Sequence, residues 1–457
     1  MRTPTEIRQL AVPLFLVMVT LAVYAVTGSF DLLYTWDDRL YVLTNSTVHS
    51  FTLAHLKEAF SDYYVGNYAP LNILSYMIDH ALWGLRPAGY HLENVLLHTA
   101  NGLLFYTLLR RLSLSEWVAG AAAWIFLLHP VQVETVAWVS QRKSLLAMFF
   151  FLTALLCYRA YAEQQEPPRR WYLLSLASLA AALLSKSIAV IFPAVIALYD
   201  LTYDRGGPRT TRRRLLDKLP FLVIAALVAA LAVTSQAHEE GGGRGDYPGG
   251  SQLTTFYTMV PVLTGYLRDC LFPFDLSPYY LVTIQQHPDA VFAVSLILIL
   301  MLAGLGAYFW RAARPLFFWY GLFLTALVPV MQIVPLITLK NDRYLYTPLL
   351  GFAALVVLGC QRLLGSIHRQ WRLLATCVIT FVMLALPFLS FRQAGYWRND
   401  LSLWSRVASV DPRNSLAWLQ LTKSYTIRNE TENALKAFNR YTELRSRYGP
   451  VRGFEKY

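Results

Sequence analysis

The sequence predicts an all-α protein, a polytopic membrane helix bundle of about eleven spans with interfacial helices and a small C-terminal helical tail. Three observations predict it. Of the 457 residues 56% are hydrophobic and only 15% are charged, long apolar runs recur as far as residue 391, and the basic residues fall in short clusters on alternate connections between those runs. This composition excludes an ordinary soluble domain. The net charge of +12 would point to nucleic acid if the basic residues formed one face. In short clusters they act instead as orientation signals, so the lipid bilayer is the expected partner and nucleic acid is not. Cys157, Cys270, Cys360 and Cys377 lie in or beside apolar runs, without the spacing of a disulfide framework or a zinc site.

Taken in order, the apolar runs lie at 10–28, 90–109, 115–129, 144–162, 170–184, 187–202, 218–236, 289–310, 315–334, 344–364 and 373–391. The first, preceded by Arg2 and Arg8, has about 19 apolar residues, longer than a signal-peptide core of about 7 to 15, and reads as a retained anchor. Arg110 and Arg111, Arg169 and Arg170, Arg205 with Arg209 and residues 212–214, Arg311 with Arg314, and Arg362 with Arg369 and Arg372 belong on the cytoplasmic side, with the N-terminus. The opposite side receives 29–88, 129–143, 238–288, 335–343 and everything after 392. For that to hold, the apolar stretch 253–272 must lie along the interface or re-enter the membrane. The glycine-rich loop 241–250 reads as a flexible linker.

Within 29–88, Leu53, Leu56 and Phe60 alternate at helical spacing with Lys57, Glu58 and Asp62, the pattern of a helix lying in the headgroup plane. A second segment, 71–83, is apolar with Asp79 and His80 near its end, and the two together suit a lid over the bundle. Past Arg392 the composition changes. Trp418, Leu421, Tyr425, Ala434 and Phe438 match the W-x2-L-x3-Y…A-x3-F spacing of a tetratricopeptide repeat, and 396–412 resembles the second helix of a truncated one. One and a half repeats do not bury a core, so the tail must dock elsewhere. The expected domains are therefore a membrane domain at 1–391, with its first outer loop at 29–88, and a helical domain at 392–457.

The unusual polar chemistry gathers on the expected outer side. Asp37 and Asp38, flanked by Tyr34, Trp36 and Tyr41 in YTWDDRLY, emerge just past the first run, where a carboxylate is placed for proton chemistry or, on the plainer reading, is solvated. In HPVQVETVAWVSQRK, residues 129–143, a continuous helix would put Glu134, Trp138 and Arg142 on one face, with Lys143 beside it and His129 at its start. Arg142 and Lys143 open an apolar span from the side where positive charge is disfavoured, which asks for an anion such as a lipid phosphate. Lys340, Asp342, Arg343 and Tyr344 form a second such cluster; a guanidinium can hold a phosphate through two oxygens, while Asp342 can orient or neutralise Arg343. His91, Asn94, His98 and Asn101 make a polar stripe on one span that should face the bundle interior. His98 and Asn101 suit helix-to-helix hydrogen bonds, and His91 and Asn94, nearer the outer end, suit a substrate pocket.

The succession YTWDDRLY, YAPLNILSYMIDHALWGLRPAGYHLENVLLH, HPVQVETVAWVSQRK and KNDRYLYTPLLG, followed by tetratricopeptide-like helices, resembles the transmembrane and tetratricopeptide-repeat O-mannosyltransferase family and its bacterial relatives, enzymes of the GT-C class. The resemblance implies a GT-C type membrane domain. It also implies a glycosyltransferase that takes a sugar from a polyprenyl-phosphate donor to a protein, lipid or glycan acceptor on the periplasmic or lumenal face. By it Asp37 or Asp38 would be the general base, Arg142, Lys143, Lys340 and Arg343 would hold the departing phosphate, and His91, Asn94, His129, Glu134 and Tyr344 would line the pocket. One base and no second carboxylate at a nucleophile position imply inversion. Asp37 and Asp38 could bind a divalent cation, although two adjacent carboxylates are not a site by themselves. The short tail departs from the long repeat arrays of eukaryotic members and suggests a bacterial inner-membrane protein; the sequons at Asn45 and Asn429 would matter only in an endoplasmic-reticulum lumen. A flippase of polyprenyl-linked sugars and a non-catalytic scaffold built on the tail are the alternatives.

Overall fold

The computed structural model describes residues 4–164, 168–203, 209–236 and 245–451. Among them the chain is helical apart from loops and one isolated bridge, Tyr64 to Asn67. α1 (Pro4–Tyr24) continues as a tight turn, Ala25–Ser29, before the first loop. α2 (Leu53–Ser61) and α3 (Pro70–Trp83) form where interfacial helices were expected. Then come α4 (Pro87–Arg111), α5 (Glu116–Leu128), a one-turn α6 (Val133–Ala137), α7 (Arg142–Ala162), α8 (Arg169–Ser185) and α9 (Phe192–Tyr203). The apolar part is completed by α10 (Thr211–Leu216), α11 (Leu219–Gln236), α12 (Gln252–Leu271), α13 (Ala290–Ala312), α14 (Arg314–Leu327), α15 (Pro348–Ser366) and α16 (Arg369–Ala394). The tail is α17 (Asp400–Val410), α18 (Ser415–Ile427) and α19 (Thr431–Tyr448).

The helix starts follow from local chemistry. Proline stands in the first turn of α3, α4, α14 and α15, where its missing N–H costs no hydrogen bond. Thr52, Ser115, Asp289, Asn399 and Asn414 cap α2, α5, α13, α17 and α18 through side-chain oxygens that accept backbone N–H groups.

Each of the eleven predicted runs coincides with a helix. Among the described residues six are long and apolar enough to cross a membrane: Leu10–Ser29, Val139–Ala162, Thr211–Ser235, Ala290–Ala312, Pro348–Ser366 and Arg369–Trp397. Glu116–Leu128, Ser187–Tyr203 and Arg314–Val330 are shorter apolar helices. α4 and α8 are in neither group; α4 carries the polar stripe, and His91, Asn94, His98 and Asn101 are all buried. His98 and Asn101 meet at the Tyr346 hydroxyl, 2.9 and 3.1 Å away, which ties α4 to the segment just before α15. The core lies among α4, α5, α7, α9, α14 and α15. α14 and α15 approach so closely that a Cβ on Gly351 would fall 2.4 Å from the Trp319 carbonyl oxygen, so only glycine fits. Leu14, Met18, Leu227, Leu300 and Phe381 are exposed on α1, α11, α13 and α16, the apolar outer surface of a multi-pass membrane protein.

Two sequence expectations change. The helix through 131–146 is interrupted: α6 ends at Trp138, whose backbone is extended, and a tight turn Val139–Gln141 precedes α7. The break turns Glu134 and Arg142 to different partners, so the single face of Glu134, Trp138 and Arg142 does not form. The predicted run at 344–364 also begins late, because a tight turn, Asp342–Leu345, comes before α15. Of the predicted linker at 241–250, residues 241–244 lie outside the described residues, as does Arg205. Gly245 donates to the Pro335 carbonyl at 3.3 Å.

Candidate functional site

The two aspartates of the first loop have different fates. Asp38 is buried and accepts from the Leu33 N–H at 3.0 Å, the Ser140 N–H at 2.9 Å and the Ser140 hydroxyl. It ties the loop to the turn between α6 and α7. Burial pushes its carboxyl up to about 7, opposed by these donors and reinforced by the neighbouring Asp37 charge. Asp37 is half-buried, and no side-chain partner is recorded for its carboxylate among the described residues. Burial lifts its pKa above the ordinary carboxylate range, while the charges of Lys143 and Arg343 pull it back. A π-helical turn, Arg39–Leu43, follows directly and sets Tyr41 beneath the site.

The cations around Asp37 fall into two kinds. Arg343 is paired: its guanidinium is 2.5 Å from Glu134, whose second oxygen accepts the Arg343 backbone N–H at 3.0 Å. It also lies over the Trp138 ring, 5.4 Å from the centroid. Lys143 instead donates to the Tyr41 hydroxyl at 3.0 Å and sits 4.6 Å over the same ring. Lys186, in the break between α8 and α9, donates to the Ser144 hydroxyl at 2.7 Å and to the Gln141 amide oxygen at 3.4 Å. Neither lysine has a carboxylate within 4.0 Å among the described residues. Buried or half-buried ammonium groups without an anion are costly, so this is where an anion is expected.

Two small clefts share Lys186. The wall of one includes Asn67, Lys143, Ser185, Lys186 and Ser235. The wall of the other includes Lys186 and Arg343 together with Ala147, Met148, Phe151, Ile188 and Ile191. A cleft of mixed polarity and a mainly apolar one thus meet at one cation.

The other predicted residues lie elsewhere. Arg142 has no exposed side-chain surface; its guanidinium reaches Asp79 at 3.0 Å, Glu93 at 2.8 Å, the Tyr90 carbonyl at 2.7 Å and Asn94. Four protein acceptors surround it, whereas Lys143 has a single hydroxyl. Lys340 pairs with Asp269 at 2.5 Å. Asn94 donates to the Val136 and Trp138 carbonyls, and His91 is buried edge-on to Phe30 at 5.9 Å. His129 caps the turn after α5: its Nδ1 accepts from Val131 and its Nε2 lies 2.9 Å from the Cys270 carbonyl. The Tyr344 hydroxyl meets Thr338 at 2.8 Å. Both oxygens of Asp38 accept from protein donors, and among the described residues no third His, Cys, Asp or Glu joins the aspartate pair in a metal-ligand cluster.

Lys186 is the residue that sequence reasoning missed. Its signal was the one used for Arg142 and Lys143, a cation at the expected outer end of apolar runs, here between 170–184 and 187–202.

The family described as dolichyl-phosphate-mannose-protein mannosyltransferase matches residues 76–236, the stretch that contains Lys143 and Lys186. The protein O-mannosyl-transferase TMTC3 of Mus musculus is 23% identical over 460 residues, covering 90% of this chain and 49% of that protein. TMTC2 of Homo sapiens is 36% identical over 138 residues, covering 30% of this chain and 16% of its own length. A Caenorhabditis elegans protein O-mannosyl-transferase is 25% identical over 390 residues, covering 81% of this chain and 53% of itself. The chain spans about half the length of the curated relatives it matches along most of its own. Among solved structures, ArnT of Cupriavidus metallidurans bound to undecaprenyl phosphate has a TM-score of 0.45 at 18% identity, covering 94% of this chain and 75% of that one. The Archaeoglobus fulgidus oligosaccharyltransferase has a TM-score of 0.49 at 14% identity, covering 95% and 58%. These structural likenesses are too distant to carry weight by themselves. On its sequence, the chain is similar to the transmembrane and tetratricopeptide-repeat O-mannosyltransferase family over most of its length.

Proposed function

We propose that this chain is a GT-C type membrane glycosyltransferase that moves a sugar, mannose by likeness to its relatives, from a polyprenyl-phosphate donor to an acceptor hydroxyl on the non-cytoplasmic face. The observation that carries the reading is a half-buried Asp37, with no side-chain hydrogen bond to its carboxylate among the described residues, beside two lysines that form no ion pair within 4.0 Å there. In this reading residues 1–391 form the catalytic membrane domain and 392–457 a tetratricopeptide-like domain on the same outer face, in a bacterial inner membrane or the endoplasmic reticulum.

The donor phosphate lies at Lys143, Lys186 and Arg343, with its chain on the side of the apolar cleft and its sugar on the side of the more polar one. The acceptor hydroxyl attacks the anomeric carbon as Asp37 takes its proton. The bond from that carbon to the phosphate oxygen breaks, and the electron pair leaves with the polyprenyl phosphate. Three cations hold the departing charge, so the leaving group needs no proton. A single displacement inverts the anomeric centre. A positioned carboxylate base contributes about 10² to 10⁴ in rate. Asp38, saturated by three donors, shapes the loop, and Asp37 is the base.

The test is transfer of radiolabelled sugar from a panel of polyprenyl-phosphate sugars by the purified full chain, with and without a chelator. Asp37→Asn should lose about 10² to 10⁴ in turnover while still binding donor. Binding without transfer from any donor, unchanged in Asp37→Asn, would favour a flippase or a scaffold instead.

A further inference from the structure

Helix α17 reaches back to the loop that carries Asp37. Asp400, its first residue, accepts from the Tyr34 and Thr35 backbone N–H groups at 3.0 Å each and from the Thr35 hydroxyl. One turn on, the buried Trp404 donates its indole N–H to that same hydroxyl at 2.7 Å and lays its ring 4.6 Å from Trp36, the neighbour of Asp37. The spacing of four residues puts both side chains on one face of the helix. Upstream, the Asp31 N–H donates to the Arg398 carbonyl at 3.0 Å. A second strut supports the cations: Trp397, just before α17, stacks on Trp138 at 5.7 Å, and Trp138 lies under the Arg343 guanidinium. Arg406 closes the contact by donating to the Leu276 carbonyl at 3.0 Å and the Phe274 carbonyl at 3.2 Å.

We propose that Asp400, together with Trp404, is a positioning residue for catalysis: the tail helix holds the turn at 34–36 so that the Asp37 carboxylate stays aimed at the acceptor proton. The proposal rests on the transferase reading. Asp400 touches no reacting atom, and its three bonds all go to the two residues that precede Trp36. Bonds to an ionised acceptor are the stronger kind and fix direction as well as distance. Among the described residues no hydrogen bond joins the Asp37 side chain itself to the helix bundle, so its aim is set by the backbone on either side, held by Asp400 at 34–35 and by the Asp38 bonds to Leu33 and Ser140. A misplacement of about 1 Å can cost about 10²-fold in rate. The donor site stands on α7, α8 and the segment before α15, so loosening this clamp spares donor binding and slows transfer.

The experiment uses the full chain in lipid nanodiscs, as wild type, Asp400→Ala, Asp400→Glu and Trp404→Phe. Three quantities are read: affinity for undecaprenyl phosphate, hydrogen exchange of the amides in 31–41, and turnover with a polyprenyl-phosphate mannose donor. Asp400→Ala is expected to speed exchange at Tyr34 and Thr35 and to lower turnover about 10²-fold. Affinity should stay within about twofold of wild type, so the loss lies in turnover and not in binding. Asp400→Glu, which keeps a carboxylate acceptor, should recover most of the turnover. Trp404→Phe, which keeps a ring and loses the indole N–H, should give a smaller loss of the same kind and serves if Asp400→Ala fails to fold. Unchanged exchange, or faster exchange with wild-type turnover, overturns the positioning role while leaving the transferase standing. A wild-type chain that binds undecaprenyl phosphate and transfers nothing overturns the transferase reading itself, and the positioning role with it.

Discussion

The two ends of α7 carry buried charge in opposite ways. Near its C-terminal end, Asp200 accepts from Arg209 at 2.7 Å, from the Tyr158 hydroxyl at 2.8 Å and from Lys218. Asp217 accepts from the Tyr161 hydroxyl at 2.8 Å, and Lys218 also reaches the Arg214 carbonyl at 2.8 Å. Asp200, Arg209, Asp217 and Lys218 each have an opposite charge there. At the N-terminal end, about 30 Å away along a helix of this length, Lys143 and Lys186 rest on hydroxyls and an amide, and Asp37 rests on nothing recorded. The first arrangement needs no ligand. The second leaves Lys143 and Lys186 without an ion pair among the described residues, which is why the site is proposed there and not at the paired end. Arg142 and Lys143 repeat the contrast within two adjacent residues: the first is enclosed by four acceptors, the second has one phenol.

The largest expected effect is on donor binding. Charge-assisted hydrogen bonds contribute about 1.5 to 3 kcal/mol each. The double variant Lys143→Met with Lys186→Met should therefore weaken undecaprenyl phosphate binding by about 10² to 10⁴-fold, measured by titration in nanodiscs, with thermal stability unchanged or higher. A large stability loss with intact affinity would erase the distinction between the two ends.

Next in size is the reverse experiment. Asp200→Ala leaves Arg209 and Lys218 buried without their shared anion and should cost about 3 to 5 kcal/mol of stability. Thermal unfolding would show it, while the folded fraction binds undecaprenyl phosphate as wild type does. Lost affinity in that fraction would mean that the paired end also shapes the site.

The smallest effect is on pH dependence. Asp37 acts as a base only when ionised, so turnover falls as pH drops through its pKa, which burial has already raised above the usual carboxylate range. The Lys143 charge opposes that rise by favouring the carboxylate. Lys143→Met, assayed at saturating donor, should move the acid limb of the pH profile to higher pH. An unmoved limb, or one moved to lower pH, would separate Lys143 from Asp37 and weaken the assignment of both to one site.

Much of the fold was legible in the sequence. The eleven apolar runs, the two helices of the first loop and the three of the tail all announce themselves by composition and period, which are properties of neighbouring residues. The stripe of His91, Asn94, His98 and Asn101 was legible as inward-facing because polar groups cannot face lipid cheaply, although its partners, Tyr346 above all, were not. The site was legible in part. The acidic pair and the outer-side cations pointed to loops that the structure brings together, yet nothing in YTWDDRLY distinguishes Asp37 from Asp38, and nothing in SQRK distinguishes Arg142 from Lys143.

By itself, the sequence determined the class of the molecule, the helices that build it, and the loops in which charge would have to be explained, because hydropathy and helical period act along the chain. Which charge is spent on the protein and which is left over was decided only by the tertiary structure. Asp38 meets Ser140 across 102 positions, Arg343 meets Glu134 across 209, and Asp400 meets Thr35 across 365. A buried charge is satisfied by whatever lies within about 3 Å of it, and the extended backbone at Trp138 that interrupts the helix after α6 is what turns Glu134 and Arg142 to separate partners.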